Sequence, residues 1–407
     1  ASENAGCFKT QDRSIGRFFM RQTIAIFVDA YRELNHRRLF WITLMLSGVV
    51  VAAFAAIGND EEGLTILHWS IPFPFLSTNF IPQADFYKFT FAELGVGYWL
   101  AWIATIIALI STASIFPDFV DRGSIDLMLS KPIGRVRLFF TKFLTGLMFA
   151  GLQVTVFTLA AFMVIGIRGG DWEPWLFVAI PLVLVFYSYL FSMQAVVGLL
   201  TGSVIASIIS VFLFWFLIFL VQTGDGATLA WRVTNEITVE RQVSRVEQQE
   251  ERIAGLTDIV MATSIVAEKG DEGAIAELFE LQSELAMKQG RLEVSRIEVE
   301  DELETLELSR SINGWFHLAN TVLPKTSETI SLLQRLLEKH AGLVTPVPDD
   351  DDMAMRFGEM VGRRDFEERF NAELDESHGA TWILGTSLGF EALILGFGVW
   401  RFRRRDF

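Results

Sequence analysis

Cysteine is all but missing from this chain, with one residue, Cys7, among 407. A single thiol excludes an internal disulfide and any cysteine-ligated metal cluster, and its place in the leading tail suits a bystander. Histidine is scarce as well. His36, His68, His317, His340 and His378 are scattered, with no pair at the helical spacing of metal ligands. No nucleophile elbow or zincin pattern occurs, and neither does the G-x-x-x-x-G-K-[ST] loop that cradles phosphates. The chain is therefore expected to be no enzyme by itself and to hold no cofactor or metal of its own. Net positive charge is lacking too, because 34 Lys and Arg stand against 49 Asp and Glu for a formal charge of -15. A chain so acidic is expected to bind no nucleic acid, which selects basic patches.

Apolar residues are what the chain has in excess: 51% are hydrophobic, with 36 Phe and 11 Trp. That places it among integral membrane proteins, with the lipid bilayer as its first partner. Uncharged apolar runs of about 17 to 25 residues match the hydrocarbon core. Such runs are Leu39 to Ile57, Gly97 to Pro117, Leu144 to Ile167, two within Leu176 to Val221 broken near Leu199 to Ser203, and Trp382 to Trp400. About six transmembrane helices are expected, several edged by interface-favouring Trp or Tyr such as Trp41, Tyr98, Trp99, Trp175, Trp382 and Trp400.

Basic residues cluster before the first span (Arg32, Arg37, Arg38), after the second (Arg122, Lys131, Arg135, Arg137, Lys142) and after the sixth (Arg401 to Arg405). An even number of crossings separates these clusters, so the positive-inside rule puts all three, and both termini, in the cytoplasm of a plasma (bacterial inner) membrane protein. The connection Ile57 to Val96 has one lysine, Lys88, and falls outside. A charged stretch precedes the first span, so no secretory signal is expected. Beyond a tail of residues 1–19, residues 20–38 put Ile24, Phe27, Val28 and Tyr31 on one helical face, as an amphipathic helix in the interface would. A helix packed on a soluble partner fits the same pattern.

The loop after the second span, residues 118–142, contains Asp121, Arg122, Gly123, Asp126, Leu127, Leu129, Lys131, Pro132 and Arg135. Gly123 releases the chain from a helix and Pro132 cannot continue one, so Ser124 to Ser130 is expected to form a short stiff unit. The segment FPDFVDRGSIDLMLSKPIGRVRLFFTKFL resembles the loop between the second and third spans of type-2 ABC exporter permeases, in which an acid before a glycine, a Leu-rich step, Lys-Pro, an Arg and a final Lys recur. Many relatives carry a glutamate four positions before that glycine, where this chain has Phe119 beside Asp118. The resemblance implies a coupling helix that docks on a separate cytoplasmic ABC ATPase subunit, which would bind the ATP and magnesium. It also implies a second copy or a paralogue of the permease in the membrane. The bland alternative is a basic loop that only sets topology.

Residues 223–380, between the fifth and sixth spans, form an extracytoplasmic insert by the same count. Two runs repeat in sevens: Val239, Val246, Ile253, Val260, and Leu278, Leu285, Leu292, Val299, Leu306. With the polar break EKGDEG between them, they predict an antiparallel coiled-coil hairpin over 236–312. Its intermediate positions, among them Val243, Glu250, Thr257, Lys288, Ser295 and Glu302, are mixed. Such a seam is a candidate dock for a neighbouring copy or a periplasmic or extracellular protein. The four aspartates Asp349 to Asp352 read either as a divalent-cation attractor or, better, as a solvated helix start. Within the membrane the notable polar residues are Glu391, Gln153 and Gln194. Glu391 is expected to hydrogen-bond between helices or to serve substrate or proton movement.

The fold class that follows is all-α: a polytopic protein with spans one to five in 39–222, the coiled-coil insert, and residues 381–407 as the sixth span with a basic end. The expected function is the permease subunit of an ABC transporter. The alternative is a membrane scaffold or force transducer acting through its coiled coil.

Overall fold

The structure, a computed structural model, describes residues 38–67, 69–72, 76–120, 134–269, 271–342, 365–366, 368–370, 372–373 and 379–404. The leading tail, the interfacial helix before Arg38, the aspartate run and residues 121–133 lie outside the described residues.

Among the described residues, six helices are long and apolar enough to cross a membrane: α1 (Arg38–Ala56), α2 (Gln83–Val120), α3 (Arg135–Gly169), α4 (Pro174–Thr201), α5 (Val204–Ala267) and α8 (Ala380–Arg404). Between α5 and α8 come α6 (Glu272–Val322) and α7 (Thr326–Ala341). Helices are what lipid permits, because every backbone N–H and C=O must find a partner inside its own segment. The break expected near Leu199 to Ser203 is a tight turn in which Gly202 adopts φ 63° and donates its amide to Gly198 O at 2.9 Å. A side chain would be strained there. Two helices run well past the apolar stretches that mark their spans. The second begins at Gln83, not near Gly97, and passes through a widened π turn at Phe91–Ala104; the third begins at Arg135, not Leu144.

The all-α expectation is corrected in one place. Directly after α1, strands β1 (Ile57–Asn59), β2 (Gly63–Ile66) and β3 (Trp69–Pro72) form an antiparallel sheet. Asp60 builds the first turn by accepting the amides of Glu62 and Gly63 on its Oδ1, both at 2.9 Å. The second turn holds Leu67 at φ 56°, a left-handed conformation that costs a bulky residue about 1 kcal/mol or more. Leu67 N–H donates to Ala56 O at 2.8 Å, which ties the hairpin tip to the end of α1. The alternation Leu-Thr-Ile and Trp-Ser-Ile in these strands has a period of two, the signal that six strong helical runs overshadowed.

The described chain divides into two compact units, Ala1–Phe219 with Val322–Asp350 and Gly379–Phe407, and Leu220–Thr321 with Asp351–His378. Helix α7 belongs to the first of these units. The first unit is cored by aromatic rings, among them Phe116, Phe139, Phe143, Phe191 and Phe402, and by a second cluster around Phe91, Trp99, Phe157 and Leu333. In the second unit α5 and α6 run antiparallel. Arg310 pairs with Glu236 at 3.0 Å and Arg296 with Glu250 at 2.7 Å, so fourteen steps forward on α5 match fourteen steps back on α6. Asp271 caps α6 by accepting the amide of Gly273 at 2.9 Å. A later piece of this unit lies along α5 through Arg369–Glu240 at 2.7 Å, Arg241–Asp365 at 3.4 Å and Arg232–Glu373.

Candidate functional site

One group of enclosed polar side chains lies where α4, α7 and α8 meet. Ser188 of α4 donates its hydroxyl to Glu391 Oε2 of α8 at 2.8 Å, and both residues are buried. The hydroxyl of Tyr189, next on α4, lies among Glu391, Ser387 and Thr329. At the start of α7, Lys325 is 1% exposed. Its amide donates to Ser387 Oγ at 2.9 Å, its ammonium donates to Thr386 Oγ1 at 3.1 Å, and it stands 5.7 Å from the Trp382 ring centroid. Enclosure in low dielectric makes each of these contacts count, because water offers no substitute. An enclosed lysine and an enclosed glutamate thus lie on neighbouring helices with serine and threonine hydroxyls bonded to each. Sequence reasoning found Glu391 and missed Lys325, although a lysine directly after Pro324 at the return to the apolar segment was the available signal.

The other two intramembrane candidates are not drawn into this cluster by any bond they make. Gln194 donates Nε2 to Leu109 O of α2 at 2.9 Å, and Gln153 is enclosed on α3. Further bonds between spans join Thr112 to Tyr187 at 2.7 Å and Trp99 Nε1 to Ser47 Oγ at 3.3 Å. Lys88, expected only as a marker of topology, is enclosed as well. It pairs with Asp171 at 2.6 Å and Asp85 at 3.8 Å and donates to Ala341 O at 3.4 Å, so it clamps α2, α7 and the turn before α4.

Of the loop expected to receive an ATPase, Asp121, Arg122, Gly123, Asp126, Leu127, Leu129, Lys131 and Pro132 lie outside the described residues. Its two flanks are described. Phe119, before it, is buried with its ring 5.4 Å from Phe402 of α8, and Phe402 lies 6.5 Å from Phe139 of α3. Arg135, after it, donates Nη1 to Arg403 O at 3.3 Å. The residue that stands where many permeases carry a glutamate is therefore core packing here, while Asp118 beside it is exposed.

On α5 and α6 all nine heptad residues, Val239, Val246, Ile253, Val260, Leu278, Leu285, Leu292, Val299 and Leu306, are buried or half-buried. The intermediate positions expected on α6, Lys288, Ser295 and Glu302, are half-buried, as is Leu281 one heptad before them. On α5 the expectation is corrected in part: Gln242, Gln249 and Leu256 turn inward, three residues after each heptad position, while Val243 and Thr257 are exposed and Glu250 is half-buried. Toward the start of this helix pair the seam becomes polar. Asn320 donates to Asp225 Oδ2 at 2.8 Å, Asn313 donates to Thr228 Oγ1 at 3.1 Å, and His317 Nδ1 lies 3.8 Å from Asp225. Polar seam residues of this kind fix register at some expense of stability. Among the described residues, no group of three or more His, Cys, Asp or Glu side chains is placed to hold a metal ion.

Residues 42–227, a little under half the chain, match a family described as "Protein of unknown function (DUF2705)". No curated protein and no solved structure matches the chain.

Proposed function

We propose that the chain is the membrane-spanning subunit of a transporter driven by a separate cytoplasmic ATPase, and that residues 118–142 are the docking point. The observation that carries this reading is the anchoring of two described positions of that segment on the last span: Phe119, near its start, on Phe402, and Arg135, past its proline, on the carbonyl of Arg403. A push delivered there would reach α2, α3 and α8 together. Enclosed pairs such as Glu391–Ser188 would then move with their helices as units. The ATPase supplies the nucleotide and magnesium chemistry, and a second copy or paralogue completes the path. We read α5 and α6 as an antiparallel coiled coil on the extracytoplasmic side of a bacterial inner membrane, where it docks a partner protein.

A second reading, a scaffold or force transducer, is favoured by the length and continuous seam of the helix pair. The two readings separate in one experiment. With Asp126→Lys and Leu127→Asp combined, an ATPase that co-purifies with the native chain is expected to be lost while the chain stays in the membrane fraction. Undiminished recovery of that ATPase would sink the docking assignment.

A further inference from the structure

The sheet that follows α1 has two chemically different faces. Pairing sets Ile66 opposite Trp69 and Leu64 opposite Ile71, so these four side chains share one face with Ile57 and with Asn59, which is buried and donates to Ile81 O at 2.9 Å. The other face carries Gly58, Thr65 and Ser70. On the apolar face, Ile57 and Leu64 pack against the core cluster around Trp99 and Leu333. That surface does not end there. It continues into the open through Ile66, Ile71, Leu67 at 69% exposure and Trp69 at 81%.

The height of this patch is set by a hydrogen bond. Leu67 N–H is held on the carbonyl of Ala56, the final residue of α1. The 19 residues of α1 rise about 28 Å, close to the thickness of a hydrocarbon core, so the tip lies at the level where hydrocarbon gives way to headgroups. Charge is distributed to match. The acids Asp60, Glu61 and Glu62 belong to the opposite turn, Glu62 reaching back along the other face to accept the Ser70 hydroxyl at 3.1 Å, and the described residues at the tip carry none. Tryptophan is the side chain that favours this boundary. The left-handed turn position usually given to Gly or Asn is filled by a leucine that points outward, which is unfavourable in water and useful against lipid.

We propose that the tip of this sheet, Ile66, Leu67 and Trp69, seats in the headgroup–acyl boundary of the leaflet at the end of α1, as a membrane contact separate from the six helices. The proposal rests on α1 crossing a bilayer. The test uses the full chain with Cys7→Ser, reconstituted in phosphatidylcholine–phosphatidylglycerol vesicles and labelled with an environment-sensitive fluorophore at one introduced cysteine. At Trp69→Cys the emission should shift to the blue, lose most of its intensity to brominated lipid and lose little to aqueous iodide. At Ser70→Cys, on the other face, the order should reverse. Iodide access at Trp69→Cys with shielding at Met45→Cys, in the middle of α1, would overturn this contact alone. Iodide access at both would overturn the crossing of α1 and the contact with it. Shielding of Trp69→Cys that appears only as protein is crowded at fixed lipid would overturn the lipid assignment in favour of a second copy.

Discussion

Along α6 every seventh residue from Leu278 to Leu306 is apolar and turned inward, whereas along α1 apolar residues occupy nearly every position and the buried ones are Phe40, Thr43 and Ser47. Both are regular helices, yet their inside and outside are sorted by opposite rules. Water drives leucine to the seam of the helix pair. Lipid gives leucine no such preference, so helices in a bilayer associate through close approach, small residues and hydrogen bonds. Thr43 and Ser47 lie on the buried side of α1 and Met45 is left outside at 73% exposure, the sorting that a bilayer around α1 would produce.

The largest expected effect breaks the comparison most directly. Met45 of α1 and Leu303 of α6 are both exposed, the latter at 44%. Met45→Asp should oppose membrane insertion by about 3 kcal/mol, since a carboxylate near the middle of a span meets hydrocarbon. Leu303→Asp should shift stability by less than about 0.5 kcal/mol, as surface changes in water do. The measurement is the yield of membrane-inserted, monodisperse full-length chain for each variant. Equal yields would mean that the two surfaces face the same solvent.

The same contrast decides what could be read in advance. The number of long apolar helices, the turn at Gly202 and the inward side of α5 and α6 at the seven-residue period were legible, because length, a small-residue break and a regular period survive in any context. The faces of the spans were not legible, because apolar residues surround them. Lys88 in its clamp, and Lys325 with the hydroxyls near Glu391 in theirs, are each enclosed by contacts between segments far apart in sequence, as with Lys325 and Ser387. Phe119 looked like a departure from a motif and proves to be a packing residue against Phe402. The inward turn of Gln242 and Gln249 in place of Val243 shows that even the legible helix pair follows its heptad geometry over local hydrophobicity.

A smaller effect sharpens the rule for lipid. A Cβ placed on Gly146 of α3 would overlap the buried ring of Phe191 on α4, so the contact depends on a missing side chain. Gly146→Ala gains helix propensity of about 1 kcal/mol, but forcing that ring out of place should cost about 2 to 3 kcal/mol, for a net loss near 1 to 2 kcal/mol. Thermal aggregation of the detergent-solubilised chain should then begin several degrees lower. Gly290→Ala on α6, where a Cβ meets nothing within 4 Å, is expected to stabilise. If Gly146→Ala also stabilised, close approach would not be what joins α3 to α4.

The smallest effect tests whether the helix pair obeys the rules of water throughout. Arg310 and Glu236 touch at 3.0 Å with more than half of the arginine side chain exposed, so their attraction is diluted by solvent. A double-mutant cycle of Arg310→Ala and Glu236→Ala, read by hydrogen exchange of the neighbouring amides, should give a coupling of about 0.5 kcal/mol at low salt. In 1 M salt, where the screening length falls to about 3 Å, that coupling should fade to nothing measurable. The bonds from Lys325 to Ser387 and Thr386, shut away from ions, should not respond to salt at all. A coupling between Arg310 and Glu236 that persisted in high salt would mean that something covers this side of the helix pair, and that its surface does not belong to water alone.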